Sequence, residues 1–279
     1  MKHLRIEQLF NLNRVSQYAW YILLTISFVP CLAIGQIADN EQTAQANNDS
    51  QFSYTIGTRL KSNDFTDLQN TARIRPVVGL RYGKWQLGIG DGSSWLKEGT
   101  YGSEPTLSYQ FFENPDVNIG LSMRVHNVST GESFDVFESG KTTVRTRLMI
   151  HQKISRRWHA QLDWTQDLLN KGDGTTITTG LAYSWPVFSQ SELVLNFGST
   201  WATAEHWKNA NFPMAPSKQH VFQAGFGKVN SGLTFKQAIT RNWAWYSSLA
   251  VTAPIADLKR MQDSREVVSG QIGILYFKR

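Results

Sequence analysis

The sequence predicts an all-β protein, a transmembrane antiparallel up-and-down β-barrel of about twelve strands, within a range of ten to fourteen. Segments of about ten residues alternate between large apolar side chains and small or polar ones. The connections between these segments alternate between short and long. Strands of a soluble sandwich also alternate, but they are usually nearer five or six residues long. Length and loop pattern together therefore favour the barrel.

Composition agrees with one folded domain. The chain has 279 residues, of which 41% are hydrophobic, 12% aromatic and only 18% charged. This excludes a disordered protein, because so many large apolar groups must leave water. The single cysteine, Cys31, excludes a disulfide framework and a cysteine-based metal cluster.

Residues 1–35 are predicted to be a secretory signal peptide, followed by a flexible polar leader at 36–51 and the barrel at 52–279. The apolar stretch Tyr18–Ile34 contains Ala33 and is followed by Gly35, and these two small residues are predicted to form a cleavage site. An uncleaved membrane anchor is the alternative, since the stretch approaches spanning length. Cleavage removes three basic residues and one acidic residue, which lowers the net charge from +6 to +4. The remaining charge is spread along the chain, so no nucleic-acid partner is expected. The basic residues before the apolar stretch are Lys2, His3, Arg5 and Arg14.

The twelve predicted strands follow one another with regular spacing. They are 52–60, 73–82, 84–92, 105–112, 117–126, 142–152, 157–166, 175–185, 192–201, 229–240, 243–252 and 267–277. An even strand number places every short connection and both chain ends on one side. Outer-membrane barrels have short periplasmic turns, so that side is predicted to be periplasmic. Residues 219–228 resemble a further strand; counting them would break this parity, and we assign them to the fifth long loop or to an extension of the next strand.

Two neighbouring strands carry the candidate lumen-lining residues. In 142–152 and 157–166, one face is apolar and the other is polar. The polar faces are predicted to line the lumen. Two interpretations of the inward arginines are open: a cationic constriction for anions, or pairing with acids such as Asp163 that stiffens the barrel. The inward residues are Arg145, Arg147, His151, His159 and Asp163, with Lys236 as a further candidate.

Tryptophans are predicted to mark the two membrane interfaces, where amphipathic aromatic rings settle at headgroup level. One group lies beside the short turns and consists of Trp85, Trp158, Trp185 and Trp243. Trp164 and Trp201 lie at the opposite ends of their strands. A soluble core capped by aromatic residues is the alternative. Trp207 lies in a long loop and has two possible roles: contact with ligands or lipopolysaccharide, or closure of the barrel mouth.

No catalytic or metal site is predicted. The six histidines show no HExxH spacing and are not grouped with carboxylates. His159 and Asp163 share a face, but they lie about 13 Å apart along a strand, beyond direct contact. A hydrolase needs a nucleophile and a base within hydrogen-bond reach. We therefore expect no enzyme and no cofactor.

Several patterned segments between about residue 70 and residue 279 resemble the MltA-interacting protein (MipA/OmpV) family. Two departures stand out: Arg265 follows Ser264 where the family has proline, and Lys278 and Arg279 follow the terminal aromatic Phe277. The segments that carry the resemblance are Pro76–Gly83, Gly198–Ala202 with Trp207 and Phe212, Thr240–Trp243, Ala256–Leu258 with Asp263 and Ser264, and Leu275–Phe277.

The resemblance implies an outer-membrane β-barrel of the Gram-negative cell envelope. One family member is described as a scaffold that joins a lytic transglycosylase to a murein synthase, and others are linked to adhesion or permeability. The expected partners are therefore outer-membrane lipid, lipopolysaccharide and murein-synthesis proteins. A small porin-like channel or uptake barrel with a partly basic lumen is the alternative function.

Overall fold

The computed structural model describes residues 52–62, 72–88, 106–127, 142–210, 222–259 and 266–278. The predicted signal peptide and polar leader lie outside these residues. None of the helices in the described part of the chain has the length and apolar character needed to cross a membrane.

Twelve strands make up most of the described chain. They are β1 (Phe52–Ser62), β2 (Arg73–Tyr82), β3 (Trp85–Gly88), β4 (Leu107–Glu113), β5 (Val117–Asn127), β6 (Thr142–Lys153), β7 (Trp158–Asp167), β8 (Thr175–Phe188), β9 (Ser191–Ala202), β10 (Gly225–Ala238), β11 (Trp243–Pro254) and β12 (Val267–Lys278). Two short helices, α1 (Ala204–Ala210) and α2 (Ala256–Lys259), lie in the long connections after β9 and β11.

The strands form one closed barrel in which every described pair is antiparallel. Each strand pairs with its neighbours in sequence, and β1 closes the barrel by pairing with β12. In that seam Tyr54 lies opposite Lys278, and Ser62 lies opposite Gly270. The predicted fold class, an antiparallel all-β barrel of about twelve strands, is confirmed.

Most strand bounds in the described chain lie within two residues of the prediction, and the largest differences are at the end of β8, which reaches Phe188, and at the start of β10. β10 begins at Gly225, so residues 225–228 extend this strand, which is the second of the two assignments given for residues 219–228. The seven residues of α1 fall in the same connection, and they are too few to show a helical period in the sequence. Because 225–228 join β10 without adding a strand, the parity of the connections is kept.

Three short turns are held by the same device. Asn114 Oδ1 accepts hydrogen bonds from the backbone N–H groups two and three residues further on, at 2.9 and 2.5 Å. Ser155 Oγ does so at 3.4 and 3.3 Å, and Thr240 Oγ1 at 3.3 and 3.1 Å. A side-chain acceptor at this position favours a tight turn. A fourth turn contains Gly83 at a φ of 58°, which glycine adopts without strain.

The two faces of the barrel wall differ in polarity. Large apolar side chains are exposed on the outer face, among them Ile56, Val78, Leu87, Phe111 and Val125. Polar side chains are buried on the inner face, among them Thr55, Gln86, Ser108, Ser122, Asp163 and Thr234. This is the inverse of a soluble domain, in which apolar groups occupy the interior.

Among the described residues, an apolar cluster lies on the inner face near the short-turn end, with members on β2, β11 and β12. Tyr246 is 1% exposed and heads a buried cluster. It lies opposite Gly273 in the β11–β12 pairing. The other members of this inner cluster are Val77, Ala244, Leu275 and Phe277.

A second apolar cluster lies at the long-loop end. Trp207 of α1 is buried against Ala202 and Leu258, and Phe222 packs beside them. The indole Nε1 of Trp207 donates to the carbonyl oxygen of Gly225 at 3.1 Å. A side chain at Gly227 would come within 2.6 Å of the Trp207 ring. Of the two interpretations of Trp207, the structure supports closure of the barrel mouth.

Candidate functional site in the barrel interior

Asp173 is the centre of a charged cluster near the long-loop end of the interior. It lies in the connection between β7 and β8 and is 3% exposed. Arg145 of β6 forms an ion pair with it, in which Arg145 Nη2 donates to Asp173 Oδ1 at 2.6 Å. His206 Nδ1, from α1, lies 3.2 Å from the same oxygen. His126 Nε2 lies 3.9 Å from Asp173 Oδ2. Residues of three elements, β5, β6 and α1, therefore meet at one carboxylate.

The electrostatics of this cluster favour the ionised carboxylate. Burial alone raises the pKa of Asp173, because it penalises the charged form. The hydrogen bond from His206 and the positive charge of Arg145 act in the opposite direction and prevail, so the pKa of Asp173 lies below its ordinary value. Asp173 is thus a fixed negative charge that connects the barrel wall to α1.

The connection that carries Asp173 is shaped by Asp167, the last residue of β7. Its carboxylate accepts hydrogen bonds from the backbone N–H groups of Leu169, Lys171 and Asp173 at 3.1, 2.7 and 3.0 Å. Thr143 Oγ1 on β6 also donates to it. The left-handed conformations of this segment occur at Asn170, Gly172 and Gly174. The Asn-Lys-Gly-Asp-Gly stretch is typical of a turn, but nothing in it indicates that Asp173 points inward.

Asp163 is the centre of a second cluster, further from the mouth along β7. It is 3% exposed, and both Arg147 Nη2 and Gln161 Nε2 donate to its Oδ2 atom. His151 Nε2 lies 3.9 Å from Asp163 Oδ1. The prediction that an inward arginine pairs with Asp163 agrees with this geometry. The structure brings together three of the five predicted lumen-lining residues here, Arg147, His151 and Asp163, and places Arg145 with Asp173.

His159, the fifth predicted residue, lies on β7 four residues nearer the short turn than Asp163. It is opposite Lys153 in one strand pairing and Ala182 in the other, on the same face of β7 as Asp163. Among the described residues, no group of three or more His, Cys, Asp or Glu side chains is arranged to hold a metal ion.

Sequence reasoning missed Arg124, which faces the same wall. It lies directly opposite Arg145 in the β5–β6 pairing, and Arg147 lies opposite Ser122 two positions away. Three arginines therefore share a small area of inner wall, where Asp163 and Asp173 supply the opposite charge. The signal was present, because Arg124 alternates in phase with Ser122 and His126.

The basic candidate Lys236 is 1% exposed on the inner face of β10, and its Nζ lies 3.5 Å from Glu192 Oε2. Glu192 comes from the neighbouring strand, directly opposite Lys236. Like Arg145 and Arg147, this inward cation is paired with an acid.

The predicted interface tryptophans lie at two levels of the outer face. Trp85, Trp158 and Trp243 are each the first residue of a strand that follows a short turn. Trp185 lies near the short-turn end of β8 and is 59% exposed. Trp164 and Trp201 lie at the other level, on either side of Ile177, to which both are paired in register.

Three of the short-turn tryptophans share a further feature. Each lies opposite a tyrosine of the next strand and contacts its ring: Trp85 with Tyr109 at 4.9 Å, Trp158 with Tyr183 at 4.9 Å, and Trp243 with Tyr276 at 5.2 Å between centroids. These Trp–Tyr pairs also match in register across their strand pairs. Together they form part of an aromatic rim at the short-turn end.

Fold and site together define a closed antiparallel barrel with an apolar outer face, an aromatic rim and an ion-paired interior. No family model matches this chain, and no curated protein matches it.

Solved structures of barrels are similar to the chain at low identity. OmpT with loop L8 deleted, an outer membrane protein of Vibrio cholerae, is 9% identical with a TM-score of 0.39, covering 82% of this chain and 98% of that one. The KdgM porin is 12% identical with a TM-score of 0.41, covering 80% and 98%. An outer membrane channel from Pseudomonas putida F1 is 10% identical with a TM-score of 0.42, covering 86% and 100%.

Proposed function

We propose that this protein is an outer-membrane β-barrel with a non-catalytic, structural or interaction role in the Gram-negative cell envelope. The observation that carries the proposal is the inverted polarity of the wall, with exposed apolar side chains outside and buried polar ones inside. Lipid is the environment in which such an outer face is stable. The two levels of tryptophan fit the two headgroup regions of a bilayer.

The interior favours a structural role over open conduction. Arg145, Arg147 and Lys236 are paired with acids from neighbouring elements. Near the short-turn end, the buried inner cluster around Tyr246 occupies the wall of β2, β11 and β12. Ion pairs between adjacent strands stiffen a barrel more directly than they select a passing ion.

The resemblance to the MipA/OmpV family supports the finer proposal that this barrel links murein-synthesis and murein-hydrolysis enzymes. Its patterned positions have structural roles in this chain. Gly198 has no room for a side chain, since a Cβ would lie 2.8 Å from the carbonyl oxygen of Thr179. In the Thr240–Trp243 segment, Asn242 Nδ2 donates to the carbonyl oxygen of Phe277 at 2.6 Å.

Two experiments test the membrane barrel and the linking role separately. The full-length protein, expressed in a Gram-negative host, should fractionate with the outer membrane and migrate faster in gels before boiling than after it. Loss of both properties would refute the barrel in the membrane. Crosslinking in intact cells should then capture murein enzymes. If the folded barrel is present and no murein enzyme is captured, the linking role fails while the membrane barrel stands.

A small channel with a basic lumen is the second candidate, favoured by the three arginines on the β5–β6 wall. The Arg147 side chain is 36% exposed, so an ion in the lumen would reach it. Purified protein inserted into planar bilayers should conduct anions in preference to cations, and Arg147→Glu should reverse that preference. Bilayers that stay silent after insertion would refute the channel.

A further inference from the structure

The turn between β6 and β7 presents an arginine held in place on the outer rim. Ser155 Oγ accepts hydrogen bonds from the backbone N–H groups of Arg157 and Trp158, which fixes the turn. Arg157 Nη1 donates to the Tyr183 hydroxyl at 3.1 Å. Tyr183 in turn contacts the Trp158 ring, one of the three Trp–Tyr pairs of the aromatic rim. The guanidinium is therefore positioned at the level of the tryptophans.

The charge at this corner is positive. Arg156 and Arg157 are both exposed, and Arg157 Nη1 donates its hydrogen bond to a hydroxyl group rather than to a carboxylate. Lys153 in the same turn lies 3.9 Å from Asp116, an exposed surface pair that offsets little of the charge. Across the whole short-turn side, this corner included, the described basic residues outnumber the acidic ones Glu113, Asp116 and Glu192: they are Arg81, Lys84, Lys153, Arg156, Arg157, Arg241 and Lys278.

The same corner is apolar on the side that faces outward. Ile154 is 59% exposed, Trp185 is 59% exposed and Phe188 is 70% exposed. These side chains continue the apolar outer face of the barrel into the turn region. An occupant of this corner must therefore offer both a hydrocarbon part and a negatively charged group next to it.

We propose that Arg157, with Arg156 and the Tyr183 hydroxyl, binds the phosphate of an anionic phospholipid in the leaflet on the short-turn side. A guanidinium donates two parallel hydrogen bonds to phosphate oxygens, which a lysine does not. Tyrosine and tryptophan rings lie at the depth of lipid headgroups. An anionic headgroup fits better than a zwitterionic one, whose ammonium group the neighbouring cations repel. This site rests on the proposed function, since it requires the barrel to be in a bilayer.

The test compares lipids around the folded, full-length protein. Wild type and variants are reconstituted in phosphatidylcholine bilayers with or without phosphatidylglycerol, and lipids retained after extraction are counted by native mass spectrometry. Wild type should retain phosphatidylglycerol over phosphatidylcholine. Arg157→Gln should lower that preference roughly fivefold, the effect of one basic residue at an anionic surface. Arg157→Lys should lower it less, because it keeps the charge and loses the paired hydrogen bonds.

Two controls separate the outcomes. Lys171→Gln removes one positive charge in the β7–β8 connection at the other end of the barrel, and it should leave the preference unchanged. If Arg157→Gln retains phosphatidylglycerol as wild type does, the site is overturned while the membrane barrel stands. Failure of wild type to insert into either bilayer overturns the proposed function and this site with it.

Discussion

The ring of Tyr246 lies against Gly273, the residue directly opposite it in the β11–β12 pairing. A Cβ atom at Gly273 would come within 2.6 Å of Tyr246 Cε1 and 2.9 Å of the Thr58 carbonyl oxygen. The second of these atoms belongs to the backbone and has little freedom to move. Gly273 is therefore a close approach between a buried aromatic ring and the wall of the barrel.

Gly273→Ala should destabilise the barrel by about 1–3 kcal/mol, the usual effect of adding a methyl group to a packed interior. The measurement is urea unfolding of the barrel in detergent, followed by gel mobility without boiling. Gly180→Ala is the matched control, because a Cβ there meets only ordinary contacts, the nearest at 3.6 Å. Equal midpoints for the two variants would contradict the close approach.

Asp173→Asn should destabilise the protein at neutral pH by about 3 kcal/mol, because it leaves the buried Arg145 without its counter-charge. The pKa of Asp173 in the folded state is lowered, so its stabilising contribution is complete above the unfolded value of about 3.9. That contribution disappears as the pH falls through the folded-state pKa. The difference in stability between wild type and variant should thus shrink as the pH falls below about 4. A difference that stays constant through this acid range would refute the ionised carboxylate.

The pair formed by Arg147 and Asp163 predicts a coupling energy. Asp163→Asn and Arg147→Gln should each destabilise the barrel, and the double variant should lose less than the sum of the two. We expect a coupling of about 1 kcal/mol, since the Arg147 side chain is 36% exposed and water screens the pair. A double-mutant cycle on unfolding free energies measures it. Strict additivity would show that the two charges do not interact.

Asn242→Ala should weaken the attachment of β12 to the turn between β10 and β11. It removes the hydrogen bond from Asn242 Nδ2 to the carbonyl oxygen of Phe277, which is 2.6 Å long. The expected loss of unfolding free energy is about 1 kcal/mol. Ser155→Ala is the comparison. It removes hydrogen bonds of 3.4 and 3.3 Å from a different short turn and does not touch β12. Hydrogen exchange of the Phe277 amide should be faster in Asn242→Ala alone.

The strands were predictable because their signal is local. Apolar and polar side chains alternate with a period of two within each segment, because one face of each strand meets lipid and the other faces the interior. The clusters around Asp163 and Asp173 have a different origin. Asp173 contacts residues of β5, β6 and α1, and no local pattern records which carboxylate a distant arginine meets. The short helix α1 could not be predicted from the sequence for the same reason. Its position depends on the burial of Trp207 against Ala202 and Leu258.

The seam of the barrel implies an order of assembly. All other strand pairs join neighbours in sequence, whereas β1 and β12 come from opposite ends of the barrel segment. Closing the longest loop costs the most chain entropy before any contact repays it. The Phe277 amide donates to the carbonyl oxygen of Asn242 at 2.8 Å, so β12 has a contact with the β10–β11 turn that does not involve β1. If the pairs between sequence neighbours form first, β1 and β12 pair last. Until they do, both strands are unpaired edges that can pair with another chain.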